Sequence, residues 1–270
     1  MDNSEVTDNL QILPIAVTVT NYRVGLNCKQ ASSTTITVEA GAIDVDGTIV
    51  TKSTDTTLTL TTAGDWVDDT SDQAVSTYGY IYINAAGKIE MDDVAPDESD
   101  TSGNTSGILR YNDTGTDTTD RRMIGWFYMN STGSGELNSY EVSNLKDGDV
   151  SNAIVQTDGT NDTLDDTSYG TDLTNMTVRF YTSGRRSVSV VGHVFFSSFD
   201  AARVVTLEIH DGSDIPASED GDVNVTTNAL GLTAQHCENY AQGTFTFDVK
   251  GKVNAGNGTV AEKTIIIVEN

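Results

Sequence analysis

Basic residues, proline, cysteine and aromatics are all scarce in this 270-residue chain: 15 Lys and Arg against 40 Asp and Glu, 3 prolines, 2 cysteines, and 7% Phe, Trp and Tyr. Each shortage excludes something. A formal net charge of -25 excludes naked nucleic acid and anionic membrane surfaces as partners, because both repel an acidic surface. The acids are spread through the loops rather than gathered in one tail, so the acidity belongs to the whole surface. Such a chain either works in high salt, where a Debye length of roughly 3 Å at 1 M removes self-repulsion, or tolerates the repulsion within a tight multimer. Cys28 and Cys237 are too few and too far apart for a disulfide framework or a zinc site. Two free thiols are expected, with a single bridge between the halves left open.

Helix signals are missing too. No long segment has a 3.6-residue apolar period, and the longest apolar run, Met123 to Met129, is far short of the roughly 20 residues a membrane helix needs. The first residues, MDNSEVTDN, have no basic region followed by an apolar core, so a soluble chain made in the cytoplasm without membrane insertion is expected.

Catalytic spacings are absent as well. His193, His210 and His236 form no metal-ligand pattern, and His236 beside Cys237 in a strand would point to the opposite face. The loop 131–136, STGSGE, lacks the nucleophile-elbow pattern, and acids are too abundant for any one glycosidase pair to stand out. The Asp-rich segments Asp44 to Gly47, Asp147 to Asp149 and Asp220 to Asp222 suit turns and lack a complete calcium loop. The sequons at Asn112 and Asn257 are those that chance supplies in a Thr-rich chain. The expectation is a non-enzymatic protein with no catalytic residue, cofactor or metal.

What remains is alternation. Between Met176 and Val268, runs such as MTVRFYT, SVSVVGHVFF, RVVTLEIH, TFTFDVKGKV and KTIIIV alternate apolar with polar residues, the period-2 mark of strands buried on one face. Turn-formers separate them, as at Ser183-Gly184 and Asn254 to Gly258. The fold class is therefore all-β: an N-terminal β-rich module followed by a C-terminal antiparallel, jelly-roll-like β-sandwich. Four segments are expected. Residues 1–30 form an arm with an edge strand, since Pro14 cannot donate to a sheet ladder. This strand either completes its own sheet or docks on another protein through Leu10, Ile12, Leu13, Ile15 and Val17. Residues 31–145 form a meander and hairpins, turning at Asp46-Gly47, at 84–87 and at 131–136. RRMIGWFYM is too apolar to face water on either side and belongs at a sheet centre or a subunit contact. Residues 146–172 read as a polar linker, and 173–270 as the sandwich.

The sandwich has aromatics to spare. Tyr181, Phe195, Phe196 and Phe199 exceed what one buried sheet face needs, which marks them as subunit-interface candidates. Arg121, Arg122, Arg185 and Arg186 are paired cations suited to carboxylates across a subunit boundary, unless they are simply solvated. Trp66 and Trp126, with nearby tyrosines, keep a sugar-binding surface open.

The runs TTITVEAGAIDVDGTIV, YGYIYINAAGKIEMDD and RRMIGWFYMNSTGSGEL resemble the β-rich modules of fibre and head-decoration proteins of tailed viruses. GTFTFDVKGKVNAGNGTVAEKTIIIVE is similar to the last hairpin of the trimeric jelly rolls that end such proteins, related in shape to the tumour-necrosis-factor and C1q-head family. The resemblance covers about two-thirds of the chain, at the level of pattern, and brings no catalytic residue. It implies a homotrimer on a virion surface, as a capsid decoration, turret or tail-fibre component. The implied partners are copies of itself and a major capsid or tail protein. The acidity would suit a virus of a salt-loving host. A host-glycan adhesion module is the alternative.

Overall fold

The computed structural model describes residues 22–45, 47–67, 74, 76–96, 121–130, 136–145, 151–165, 167–168, 173–200, 203–211, 218–225 and 229–270. Its regular structure is β throughout, apart from one 3-10 turn at Ala63–Asp65. The candidate anchor residues Leu10, Ile12, Leu13, Ile15 and Val17 lie outside the described residues.

The N-terminal module contains β1 (Arg23–Gly25), β2 (Cys28–Ser32), β3 (Thr35–Val38), β4 (Gly41–Val45), β5 (Thr48–Lys52), β6 (Thr56–Thr59), β7 (Thr77–Asn84), β8 (Ile89–Asp92), β9 (Arg121–Met129) and β10 (Leu137–Asn144). The hairpins expected at Gly47, at 84–87 and between β9 and β10 all form; Gly47 and Gly87 turn with φ of 78° and 82°, a region that glycine enters without strain. The expected meander from β3 to β6 does not form. Strand β3 pairs with β2 and β6, while the β4–β5 hairpin projects between them into a separate sheet with β1. Of the arm expected at 1–30, residues 22–30 are described, and there β1 and β2 are ladder members.

Beyond it come β11 (Asn152–Asp158), β12 (Asp162–Leu164), β13 (Thr177–Thr182), β14 (Ser187–Phe199), β15 (Arg203–His210), β16 (Ser218–Val225), β17 (Leu230–Asn239), β18 (Gly243–Val253) and β19 (Gly258–Glu269). They make two antiparallel sheets, β11-β19-β14-β17 and β13-β18-β15-β16, with β12 continuing the first along β19. Counting β11 and β12 as one strand, the spatial orders are 1-8-3-6 and 2-7-4-5, which is the double-sheet jelly roll. Two expectations are corrected here. The stretch 146–172 is not a free linker, since it holds the first strand of the roll. Nor are β18 and β19 a hairpin: each pairs within its own sheet, so the chain crosses the sandwich at 254–257.

Strand β9 is buried on both sides, and its position explains the apolar run. It is an inner strand of β10-β9-β7-β8. Ile124 and Phe127, with Ile81 and Ile83 of β7, join the N-terminal core around Leu26, Ile36 and Trp66. Met123 and Trp126, with Tyr80 and Tyr82, join the jelly-roll core instead. One sheet thus has a module on each face, and burying a large apolar side chain stabilises by about 2 to 3 kcal/mol. The two modules share that sheet.

Candidate functional site

The modules are held by aromatic and polar contacts. The Tyr80 ring meets Tyr181 edge-on at 5.4 Å and Trp126 meets Phe180 at 5.7 Å. Arg179 reaches Glu141 at 2.8 Å and lies 4.3 Å over the Tyr128 ring. Beneath them is a buried polar chain. Trp126 Nε1 donates to Asn152 Oδ1 at 3.1 Å, and Asn152 Nδ2 donates to Glu269 Oε2 and the Tyr181 carbonyl, each at 2.8 Å. The other oxygen of Glu269 accepts from Thr182 Oγ1 at 2.8 Å, the Ser183 N–H at 2.9 Å and the Ser183 hydroxyl. A fully desolvated carboxylate surrounded by donors is satisfied only in this arrangement.

That junction reassigns much of the expected subunit interface. Tyr181 is buried between the modules, with its hydroxyl accepting from Gln242 Nε2 at 3.0 Å. Phe196 and Phe199 are buried and stacked on each other at 5.0 Å inside the roll. Arg122 is buried and donates to the Asp44 carbonyl at 2.7 Å; Arg121 is ion-paired with Glu90 at 3.2 Å. These residues serve their own chain: Tyr181 is covered by the other module, and the rest by neighbours within their own. Of the candidates, Phe195, Arg185 and Arg186 remain exposed.

The surface that does remain open is the outer face of β11-β19-β14-β17. Outward positions align in register as Ala153–Val268–Ser189–Cys237, then Val155–Ile266–Val191–Gln235, then Thr157–Thr264–His193–Thr233. None is Asp, Glu, Lys or Arg, in a chain where 20% of residues are charged. Val155 is 59% exposed and Phe195, one row further along, 37%. The first charge along the face is Glu262, beside Phe195. Alternation made these strands legible, yet Val155, Val191, Ile266 and Val268 were missed as a patch, because sequence does not say which strands lie side by side.

The histidines and Cys237 meet polar neighbours within the chain. His193 contacts the Thr233 hydroxyl at 3.0 Å, His236 that of Tyr240 at 2.9 Å, and His210 the Glu208 carboxylate at 3.2 Å. Cys237 points the opposite way from His236 and donors meet it from Ser189, at 3.4 Å. Both cysteines are free; Cys28 is buried, and desolvation, offset in part by Arg23, pushes its thiol up to about 12. Among the described residues no cluster of three or more His, Cys, Asp and Glu could hold a metal ion. The Asp-rich segment at 147–149 and the side chains at 220–222 lie outside the described residues. Trp66 and Trp126 are both fully buried, which removes them from any sugar-binding surface. No helix among the described residues is long and apolar enough to cross a membrane.

No protein-family model matches the chain, and no curated protein matches it. Among solved structures it is similar to that of infectious bursal disease virus, Gx strain, at 9% identity and a TM-score of 0.35, over 92% of this chain and 68% of that one. Infectious bursal virus-derived T=1 particles give 10% identity, the same score and the same coverage. An exo-beta-1,3-galactanase from Phanerochaete chrysosporium gives 12% identity and 0.21, over 86% and 64%. Scores this low do not define a common fold. The strand order itself defines the class: an all-β protein with a jelly roll welded to a second β module.

Proposed function

We propose that the chain is a non-enzymatic structural protein of a virus particle. It works as a homotrimer projecting from the particle surface, as a capsid decoration, turret or tail-fibre component seated on a capsid or tail protein. The observation that carries the self-association in this reading is the uncharged outer face of β11-β19-β14-β17. Two chains of net charge -25 repel wherever their ordinary surfaces meet, so a second copy can approach closely only where that charge is missing. Three rows across four strands span roughly 400 Å², about half of what each partner buries in a standard interface. The rest must come from another surface of the same sandwich. Strand β17 is an edge of this sheet, and seating one copy's edge against the next copy's face is a head-to-tail contact, the kind that the proposed trimer closes as a ring.

Jelly rolls recur in viral capsids and lectins, which agrees with the reading without deciding it. The host-glycan alternative has lost its two tryptophans. Light scattering of the full chain at micromolar concentration in molar KCl should give the mass of three chains. A dimer would overturn the threefold arrangement, and a monomer would overturn self-association altogether. Gold-labelled antibody to the chain should decorate intact particles; particles left bare overturn the virion role.

A further inference from the structure

Strand β11 does not run unbroken into β12. Asp158 stands opposite Lys263 and Asp162 opposite Val260, so residues 159–161 bulge out of the ladder along β19. Lys263 lies on the inward row of β19 with Ile265 and Ile267, and it is fully buried. An ammonium group therefore occupies a core position, where an ion pair is a poor substitute for an aliphatic side chain. Its Nζ donates to the Thr160 carbonyl at 3.1 Å and to Asp162 Oδ2, and lies 3.0 Å from Asp158 Oδ2. Both carboxylates are fixed from behind. The Thr174 N–H and hydroxyl donate to Asp162 at 2.9 and 2.8 Å, and Asn175 Nδ2 donates to Asp158 at 3.2 Å. Burial would push the Asp158 carboxyl up, but hydrogen bonds from Thr160, Lys263 and Asn175 prevail and hold it well below the usual carboxylate range.

An amine, a carboxyl carbon and a second carboxylate are thus held together at the edge of the core. We propose that Lys263 and Asp162 condense to an intramolecular isopeptide bond, with Asp158 carrying the proton. Lys263 first passes its ammonium proton to Asp162 Oδ2, the oxygen to which it donates. The Nζ lone pair then attacks Asp162 Cγ and the N–C bond forms, while the Thr174 hydroxyl, donating to Oδ1, supports the oxyanion that develops there. Asp158, released from the Lys263 ammonium that helped hold it low, takes the proton shed by the attacking nitrogen and delivers it to the departing hydroxyl. The C–O bond breaks, water leaves, and Asp158 is again a carboxylate. Holding the groups in contact supplies the effective concentration that free amines and acids lack in water. The product ties the first strand of the roll to its last, with every other strand of both sheets between the two linked residues.

Denaturing mass spectrometry of the intact chain tests this directly. The expected mass is one water below that of the sequence, with a branched peptide joining the segments around Asp162 and Lys263 after proteolysis. K263M and D162A should restore the full mass. D158A keeps both partners and should leave them unlinked, so it reads the proton carrier even if the other variants fold poorly. A wild-type chain of full sequence mass overturns the proposal, as does a water loss that persists in K263M.

Discussion

At the scale of single residues, the decisive feature is how polar groups are buried. Glu269 faces donors on both oxygens, from Asn152, Thr182 and Ser183, so exchanging one oxygen for an amide places donor against donor. E269Q should therefore be nearly as damaging as E269A, each lowering stability by about 3 kcal/mol. W126F removes a single neutral hydrogen bond while keeping a ring against Phe180, and should lower it by about 1 kcal/mol. Urea denaturation of the variants checks the order; an E269Q protein as stable as the wild type would mean that the network does not hold the junction. The same residues show why sequence missed it. Inward positions of β11 read Asn152, Ile154, Gln156, with exposed Ala153 and Val155 between them, so two of the three inward side chains are polar while apolar ones face out. The stretch looked like a linker because the alternation that marks a strand is here inverted by two hydrogen-bonded side chains.

At the scale of elements, strand existence was legible and strand partnership was not. Period-2 runs mark β13, β14, β18 and β19 plainly, since each has one face in the core. Nothing in that period says that β19 lies between β11 and β14 rather than beside β18, which the chain reaches first. The aromatic excess expected at a subunit contact is covered within the chain at Tyr181, Phe196 and Phe199, while Val155 stays exposed. A variant separates folding from assembly. Val191 points outward at the centre of the uncharged face, between Ile266 and Gln235. V191D should change the stability of the single chain by about 1 kcal/mol or less, as an unfavourable strand residue at a surface position. Within an assembled face the same carboxylate is buried and unpaired, which weakens self-association by a factor of about 100 or more. T57D, at an exposed position of β6, should leave the native mass unchanged. Equal masses for wild type and V191D in sedimentation would move the contact to another surface.

At the scale of the whole molecule, charge and packing oppose each other. The 19 strands of the described residues bury two cores that meet across one shared sheet, while a net charge of -25 acts outward on every copy. Self-repulsion grows faster with the number of chains than with the size of one, so assembly should respond to salt more steeply than folding does. The Debye length falls from about 10 Å at 0.1 M to about 3 Å at 1 M, and most of the screening is complete over that interval. Raising KCl from 0.1 to 1 M should therefore increase the thermal midpoint modestly and the assembled fraction strongly, with both curves flattening above 1 M. Strengthened apolar burial would behave differently, rising steadily with salt and far more in sulfate than in chloride. Parallel sedimentation and melting series in the two salts distinguish the cases. A response that tracks sulfate and never saturates in chloride would mean that apolar burial, and not relief of repulsion between acidic surfaces, governs how these chains come together.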